Sequence, residues 1–284
     1  MTILSIPAGL FPVEHRFMNL DGARIHYVDK GAGSILLLLH GNPSWSFLYR
    51  KIVASLKNNF LCVALDDAGY GMSDAPPGYG FTPREHSAIL EHFIDRLCLK
   101  DMTLMVQDWG GPIGLGFAGP RLELVKRLVI GNTFAWPLGN LFRNRAFRWI
   151  MGGPIGRLLT SAFNFVPRFF FARGLAQPVA PEVRAMYLAP WQDRARRAAA
   201  TIAPRQLIKS SSYLQEVKAN LNKLADRPTL IVGGRLIFAF GDRERSRFEQ
   251  IFRQHQTLLF DKASHFLQED EGERIAEAIR NFCN

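Results

Sequence analysis

The chain has 284 residues, 48% of them hydrophobic, which is enough to bury a large core in two domains or in one domain with an inserted subdomain. No apolar run reaches the length of a membrane-spanning helix, and the first residues lack the charged and then apolar pattern of a signal peptide. A cytoplasmic protein without membrane insertion is therefore expected. Three cysteines without metal-site spacing are interpreted as small core residues in a reducing compartment: Cys62, Cys98 and Cys283.

Strands and helices alternate along the first half of the chain. Residues 15–30 alternate between apolar and polar side chains enough to predict two antiparallel strands. Buried strands are predicted at 35–39 and 61–65 with a helix between them, and residues 82–85, Thr-Pro-Arg-Glu, predict the capped start of another helix. This alternation predicts a mostly parallel central sheet with helices on both faces.

The stretch 104–114, Leu-Met-Val-Gln-Asp-Trp-Gly-Gly-Pro-Ile-Gly, places one acidic residue between a buried strand and a helix. The turn at Asp108 must be tight and strained, and Gly110 and Gly111 leave it room to close. The backbone N–H groups that begin the helix would then face any charge that forms near the carboxylate. This pattern predicts a nucleophile elbow with Asp in place of Ser. An aspartate that only caps the helix is the structural alternative.

Residues 134–220 break the alternation, because they contain aromatic and basic helical segments without buried strand patterns. We interpret them as a helical cap inserted between two core segments, 1–133 and 221–284. The cap has thirteen basic and three acidic residues and so accounts for the net charge of +10. Such a charge suits an anionic partner, but arginine interleaved with phenylalanine is more typical of helices with an apolar inner face and a solvated outer face. Neither a nucleic acid nor a membrane is therefore an expected partner; self-association through the aromatic cap is left open.

Polar residues follow several predicted strands at their carboxyl ends, which is where parallel sheets bind ligands. These residues are found at 40–43, at 66–74, at Asp108, at Asn132 and at His265. His265 follows the last predicted strand, at 257–260, and precedes a final helix. A hydrolase of this architecture has its catalytic base at that place in the chain.

Three motifs then point to a known family. Residues 40–46 read His-Gly-Asn-Pro-Ser-Trp-Ser, residues 107–111 read Gln-Asp-Trp-Gly-Gly, and residues 265–270 read His-Phe-Leu-Gln-Glu-Asp. In this order, and with the cap segment 187–191, Tyr-Leu-Ala-Pro-Trp, the chain resembles the haloalkane dehalogenases of the α/β-hydrolase superfamily over nearly its whole length. Epoxide hydrolases share the Asp-Trp pair but usually have an aromatic residue in place of Asn42.

The resemblance implies an α/β-hydrolase fold with an inserted helical cap, and a role for four residues. Asp108 would attack the halogen-bearing carbon of a small halogenated aliphatic substrate, which leaves an alkyl ester on the enzyme. The side-chain N–H groups of Asn42 and Trp109 would hold the departing halide ion, and their backbone N–H groups would form the oxyanion hole. His265 would activate the water that hydrolyses the ester. No metal and no cofactor is implied. Plain core packing of Trp109 and a turn role for Asn42 are the structural alternatives.

The carboxylate that orients the histidine in such enzymes is missing from both positions where the family has it. The first position holds Asn132, and the second holds Leu236 or Ile237; Asp242 is the nearest acid and lies several residues too late. The sequence leaves the acid undecided among Asp242, a substitution and a real absence. Alkylation of Asp108 does not use His265, whereas ester hydrolysis does, and neutralising a triad acid slows catalysis by about 10⁴-fold.

Two alternatives of different kinds stay open. An epoxide hydrolase would use the same Asp108 and His265, with Tyr187 and Tyr213 of the cap as proton donors. A ligand-binding protein would keep the pocket and lack turnover.

Overall fold

A computed structural model describes residues 4, 6–7, 9–138, 153–194, 196–237 and 239–284. Within them, one sheet of eight strands has the order β1-β2-β4-β3-β5-β6-β7-β8. The pairs β1–β2 and β2–β4 are antiparallel and the others are parallel. The strands are β1 (His15–Leu20), β2 (Ala23–Lys30), β3 (Ser34–Leu39), β4 (Phe60–Leu65), β5 (Met102–Asp108), β6 (Val125–Thr133), β7 (Thr229–Gly234) and β8 (His255–Phe260). The predicted fold class is confirmed.

Helices cover both faces of this sheet, and strand β3 shows why its sequence is apolar throughout. Leu37 and Leu39 belong to one of the two hydrophobic clusters of the core, whereas Leu36 and Leu38 belong to the other. A strand buried on both faces has no polar alternate positions. The core helices are α1 (Arg50–Leu56), α2 (Pro83–Arg96), α3 (Gly110–Ala118), α9 (Asp242–Ile251), α10 (Leu267–Asp270) and α11 (Gly272–Cys283).

The predicted capping box begins α2. The Thr82 hydroxyl accepts a hydrogen bond from the Glu85 N–H at 3.2 Å, and the Glu85 carboxylate accepts one from the Thr82 N–H at 2.9 Å. These bonds satisfy backbone donors that a helix start otherwise leaves unpaired.

Between β6 and β7, residues 153–194 and 196–220 form further helices: α4 (Pro154–Phe163), α5 (Phe165–Arg173), α6 (Pro181–Leu188), α7 (Arg197–Lys209) and α8 (Ser211–Asn220). The remainder of the predicted cap, 139–152, lies outside the described residues, and the cap boundaries at 134 and 220 stay a prediction. The prediction that the cap helices turn their apolar side chains inward is wrong for α4, where Leu158 and Phe163 are 69% and 68% exposed. None of the helices in the described ranges has the length and hydropathy to cross a membrane.

A buried ion pair between two core helices also binds a tyrosine of α6. The guanidinium of Arg50 on α1 donates two hydrogen bonds to the carboxylate of Glu269 on α10, one of them at 2.7 Å. The hydroxyl of Tyr187 on α6 donates to the same carboxylate at 2.6 Å. Since Glu269 lies four residues after His265, this contact also fixes the loop that carries the candidate base.

Sequence patterns misjudged several single residues. Cys98 is exposed and not part of the core, and only Cys62 of the three cysteines is fully buried. The histidines of β2 and α2, His26 and His86, are buried, which their sequence neighbours do not indicate. His26 lies 2.7 Å from the carboxylate of Asp66, and His86 lies 3.1 Å from the Tyr79 hydroxyl. Polar partners that the fold brings close to them allow these side chains to be buried.

Candidate active site

The turn from β5 into α3 has the geometry expected of a nucleophile elbow. Asp108 adopts a positive φ of 49°, which is uncommon for a residue other than glycine. A Cβ at Gly110 would lie 2.4 Å from the Leu39 carbonyl oxygen, and a Cβ at Gly111 would lie 1.9 Å from Thr133 Oγ1. The helix start therefore passes so close to the ends of neighbouring strands that these two positions cannot carry a side chain without rearrangement.

Backbone N–H groups surround the Asp108 carboxylate. The Asn42 N–H donates to Oδ1 at 2.8 Å, and the Trp109 N–H makes a second hydrogen bond to the carboxylate. Burial raises the pKa of Asp108 to about 7, although both hydrogen bonds act to lower it. A Cβ at Gly41 would lie 2.3 Å from Oδ1, so this glycine is required for the close approach of the loop after β3.

His265 lies in the loop between β8 and α10, beside Asp108. Its Nε2 is 3.5 Å from Asp108 Oδ2, and its side chain is fully buried. Burial lowers the pKa of His265 to about 4, and a hydrogen bond to the backbone of Ala239 acts in the opposite direction. The Gln107 amide NH₂ lies 3.2 Å from Nε2 and donates to the His265 carbonyl at 3.3 Å. The imidazole is thus held neutral, with Nε2 directed towards the carboxylate.

Asn42 and Trp109 line one small cavity together with Tyr70 and His86. Asn42 Oδ1 accepts a hydrogen bond from the Tyr70 hydroxyl at 3.2 Å, and Nδ2 lies 3.5 Å from the Ala200 carbonyl oxygen of α7. The Trp109 indole packs edge-on against Phe134, with ring centroids 5.1 Å apart. Both candidate halide ligands therefore border the same cavity. A turn role for Asn42 and plain core packing of Trp109 would not require this shared position.

Asn132 occupies the first position expected for the acid, but it contacts the backbone of the histidine loop. The register between β5 and β6 pairs Gln107 with Gly131 and Asp108 with Thr133, which leaves Asn132 as the extra residue of a bulge with φ of 42°. Its Nδ2 donates to the Ser264 carbonyl at 2.8 Å and to the His265 carbonyl at 3.3 Å. The amide thus orients the backbone of His265.

The other positions considered for the acid do not supply a carboxylate to the site in this structure. Leu236 is exposed, and Ile237 is half-buried. The Asp242 side chain is 89% exposed at the start of α9, where it accepts a hydrogen bond from Arg245 at 3.1 Å. Of the sequence alternatives, the structure therefore argues against Asp242.

The two cap tyrosines considered for epoxide opening bind elsewhere. The Tyr187 hydroxyl donates to Glu269, and the Tyr213 hydroxyl donates to the Pro112 carbonyl at 3.0 Å. Both hydroxyls are engaged in buried contacts that join the cap to the core, so the proton-donor role predicted for them in an epoxide hydrolase has no support here.

Sequence reasoning gave no role to three contributors to this site: Gly41, Tyr70 and Gln107. The loop 66–74 was expected at this edge of the sheet, but nothing in its sequence singles out Tyr70.

Within the described ranges, no group of three or more His, Cys, Asp or Glu side chains could hold a metal ion.

Comparison with known proteins identifies the fold and the family of the chain. Residues 34–272 match the family model of the alpha/beta hydrolase fold, which places the chain in the α/β-hydrolase class. "Haloalkane dehalogenase 2" of Mycobacterium tuberculosis is 37% identical over 95% of both chains. The crystal structure of the haloalkane dehalogenase DatA from Agrobacterium tumefaciens C58 superposes with a TM-score of 0.86 at 26% identity, over 97% of this chain and 98% of that one.

A relative with a different activity is also similar. "Cis-3-alkyl-4-alkyloxetan-2-one decarboxylase" of Shewanella oneidensis is 32% identical over 96% of this chain and 89% of that protein. The chain belongs to the haloalkane dehalogenase family of the α/β-hydrolase superfamily, as its motifs indicated.

Proposed function

We propose that this protein is a haloalkane dehalogenase that works through an alkyl ester of Asp108. The observation that carries the proposal is the position of His265 Nε2, 3.5 Å from Asp108 Oδ2, beside a cavity lined by Asn42 and Trp109. In this proposal Asp108 is the nucleophile, His265 is the base, and Asn42 and Trp109 supply N–H donors for the halide.

In the first half-reaction, a carboxylate oxygen of Asp108 forms a bond to the halogen-bearing carbon. The electron pair of the carbon–halogen bond leaves with the halide. The N–H groups of Asn42 and Trp109 would stabilise that charge as it develops, which lowers the barrier rather than the energy of bound substrate. Burial removes water from the carboxylate and so increases its nucleophilicity.

In the second half-reaction, His265 Nε2 takes a proton from a water molecule whose oxygen attacks the ester carbonyl. The backbone N–H groups of Asn42 and Trp109 already point at the Asp108 carboxylate, so they would stabilise the oxyanion. Collapse of this intermediate breaks the bond from the Asp108 carbonyl carbon to the alkyl oxygen. The imidazolium gives its proton to the departing alkoxide, which leaves as the alcohol. Asp108 remains as a carboxylic acid and becomes a carboxylate again when it releases its proton to the solvent.

The second half-reaction is the slow one in this proposal. Asn132, Leu236 and Ile237 stand where the family has its carboxylate, and burial holds the pKa of His265 at about 4. Once Asp108 is esterified its charge is gone, so it cannot stabilise the imidazolium either. The covalent intermediate should therefore accumulate.

The decarboxylase relative suggests a second candidate. Conversion of an oxetan-2-one to an alkene and CO₂ consumes no water, so it does not require a histidine that activates water. A site that has a nucleophile but hydrolyses its ester slowly fits such a reaction.

Bromide release from 1,2-dibromoethane tests the proposal. We expect a burst of about one bromide per protein, slow turnover after it, and a 2-bromoethyl adduct on Asp108 in the intact mass. The Asp108→Asn variant is the control and should release no bromide. Sustained turnover would contradict the slow second step. Absence of bromide and adduct would contradict the dehalogenase, and alkene formation from a dialkyl oxetanone would then favour the decarboxylase.

A further inference from the structure

Tyr70 is buried in the loop after β4, with its hydroxyl at the amide of Asn42. The hydroxyl oxygen lies 3.2 Å from Asn42 Oδ1 and 3.3 Å from the Ala199 carbonyl oxygen of α7. Burial raises the pKa of Tyr70 well above its ordinary value, with the nearby carboxylates of Asp67 and Asp108 acting in the same direction. The hydroxyl therefore keeps its proton and is a hydrogen-bond donor.

An asparagine side chain has two ends of opposite polarity and similar shape. Its NH₂ group stabilises an anion, whereas its carbonyl oxygen repels one. Rotation of the amide by half a turn would therefore convert a halide ligand into a group that opposes halide binding. A halide site that uses Asn42 needs neighbours that distinguish the two ends.

Two groups in the structure make this distinction. The Tyr70 hydroxyl can donate to the Asn42 carbonyl oxygen, and the Ala200 carbonyl oxygen, 3.5 Å from Nδ2, favours the NH₂ group on its side. In the rotated amide, Asn42 Oδ1 would face the Ala200 oxygen, and two acceptors would be opposed. One N–H of the amide can point at Ala200, and the other is then available to a halide.

The Tyr70 ring is itself held in place, so its hydroxyl has a defined position. The ring packs edge-on against Trp191, with centroids 5.6 Å apart, and the Trp191 indole N–H donates to the Pro43 carbonyl at 3.2 Å. Removal of the hydroxyl alone would leave these aromatic contacts intact. Tyr70→Phe is therefore a selective change.

We propose that Tyr70 is a positioning residue, which sets the orientation of the Asn42 amide through its hydroxyl and thereby determines the halide affinity of the site. This inference rests on the proposed function, in which Asn42 is a halide ligand. Because Ala199 and Ala200 belong to α7, it also makes the halide site depend on the cap.

Bromide titration at constant ionic strength, followed by quenching of tryptophan fluorescence, tests this role. A specific site gives saturable quenching, whereas collisions with exposed tryptophans do not saturate. We expect Tyr70→Phe to weaken bromide binding by about fivefold to tenfold, as loss of one buried hydrogen bond implies. The control variant Tyr79→Phe loses a partly buried hydroxyl that faces His86, and it should bind bromide like the unmodified protein.

The double variant separates positioning from packing. If Tyr70 acts through Asn42, Tyr70→Phe should have no further effect on bromide affinity in an Asn42→Ala background. An equal effect in both backgrounds would overturn the inference and assign the hydroxyl to Ala199. If Asn42→Ala weakens binding and Tyr70→Phe does not, the inference fails while the halide site stands. Absence of saturable binding in the unmodified protein would overturn both.

Discussion

Burial shifts the two central titratable residues in opposite directions. It raises the pKa of Asp108 to about 7 and lowers that of His265 to about 4, because each charged form loses its hydration. Between these values the pair holds one proton, on the carboxyl group of Asp108. His265, the proposed base, is then unprotonated, as that role requires, but Asp108, the proposed nucleophile, is neutral.

The burst of bromide should therefore depend on pH through Asp108. A raised pKa keeps the carboxyl group protonated as pH rises, up to about 7, so the burst rate should increase through pH 7 and become constant about one unit above it. Rapid-mixing measurements from pH 5 to 9 check this expectation. A burst rate that is flat down to pH 5 would show that the N–H groups of Asn42 and Trp109 outweigh burial.

Among the secondary-structure elements, an ion pair between two core helices supports the site from outside it. Arg50 and Glu269 join α1 to α10, and Tyr187 of α6 completes the contact. Burial acts to raise the pKa of Glu269, but hydrogen bonds from Arg50 and Tyr187 and the charges of Arg50 and Lys51 more than offset it, so the carboxylate stays ionised. A buried guanidinium needs this partner, since an unpaired charge in the interior is costly.

Replacing Glu269 should therefore destabilise the protein strongly. Glu269→Gln leaves Arg50 buried without its counter-charge, and we expect it to lower the free energy of unfolding by about 3–5 kcal/mol. Glu216→Gln is the matched control, because the Arg84–Glu216 pair is more than half exposed, and it should cost less than about 1 kcal/mol. Urea denaturation of both variants gives the comparison. Similar losses in the two variants would show that the buried pair has no special role.

At the scale of the whole molecule, the sheet brings together loops that are far apart in the sequence. The ends of β3, β5, β6 and β8 carry Asn42, Asp108, Asn132 and His265 to one edge. The bulge in β6 directs Asn132 at the carbonyls of Ser264 and His265, so its amide donates where a carboxylate could only accept. The two family positions for the acid are therefore not equivalent in this chain.

An aspartate introduced at the two family positions for the acid should speed up ester hydrolysis at only one of them. Ile237→Asp should raise steady-state bromide release by at least tenfold and leave the burst rate unchanged, because only ester hydrolysis uses His265. Asn132→Asp should instead lower stability by about 1–3 kcal/mol, because the carboxylate would oppose two carbonyl oxygens. Steady-state and burst kinetics of both variants, together with their unfolding curves, test these two predictions. Faster turnover in Asn132→Asp would contradict the role of Asn132 in fixing the loop.

The sequence by itself determined the sheet, the elbow and the family. Apolar strands alternating with amphipathic helices specify such a sheet because local periodicity follows the geometry of each element. The tight turn at Asp108 could be read from Gly110 and Gly111, since only small residues fit there. The motifs at 40–46, 107–111 and 265–270 supplied the family resemblance.

Tertiary structure alone decided which side chains meet. The burial of His26 and His86, the outward apolar face of α4, the hydroxyl of Tyr70 at Asn42 and the solvent exposure of Asp242 have no local signal. Each depends on contacts between residues far apart in the chain. The strength of the nucleophile and of the base was decided in the same way, because their pKa values follow from burial, which the order of residues does not state.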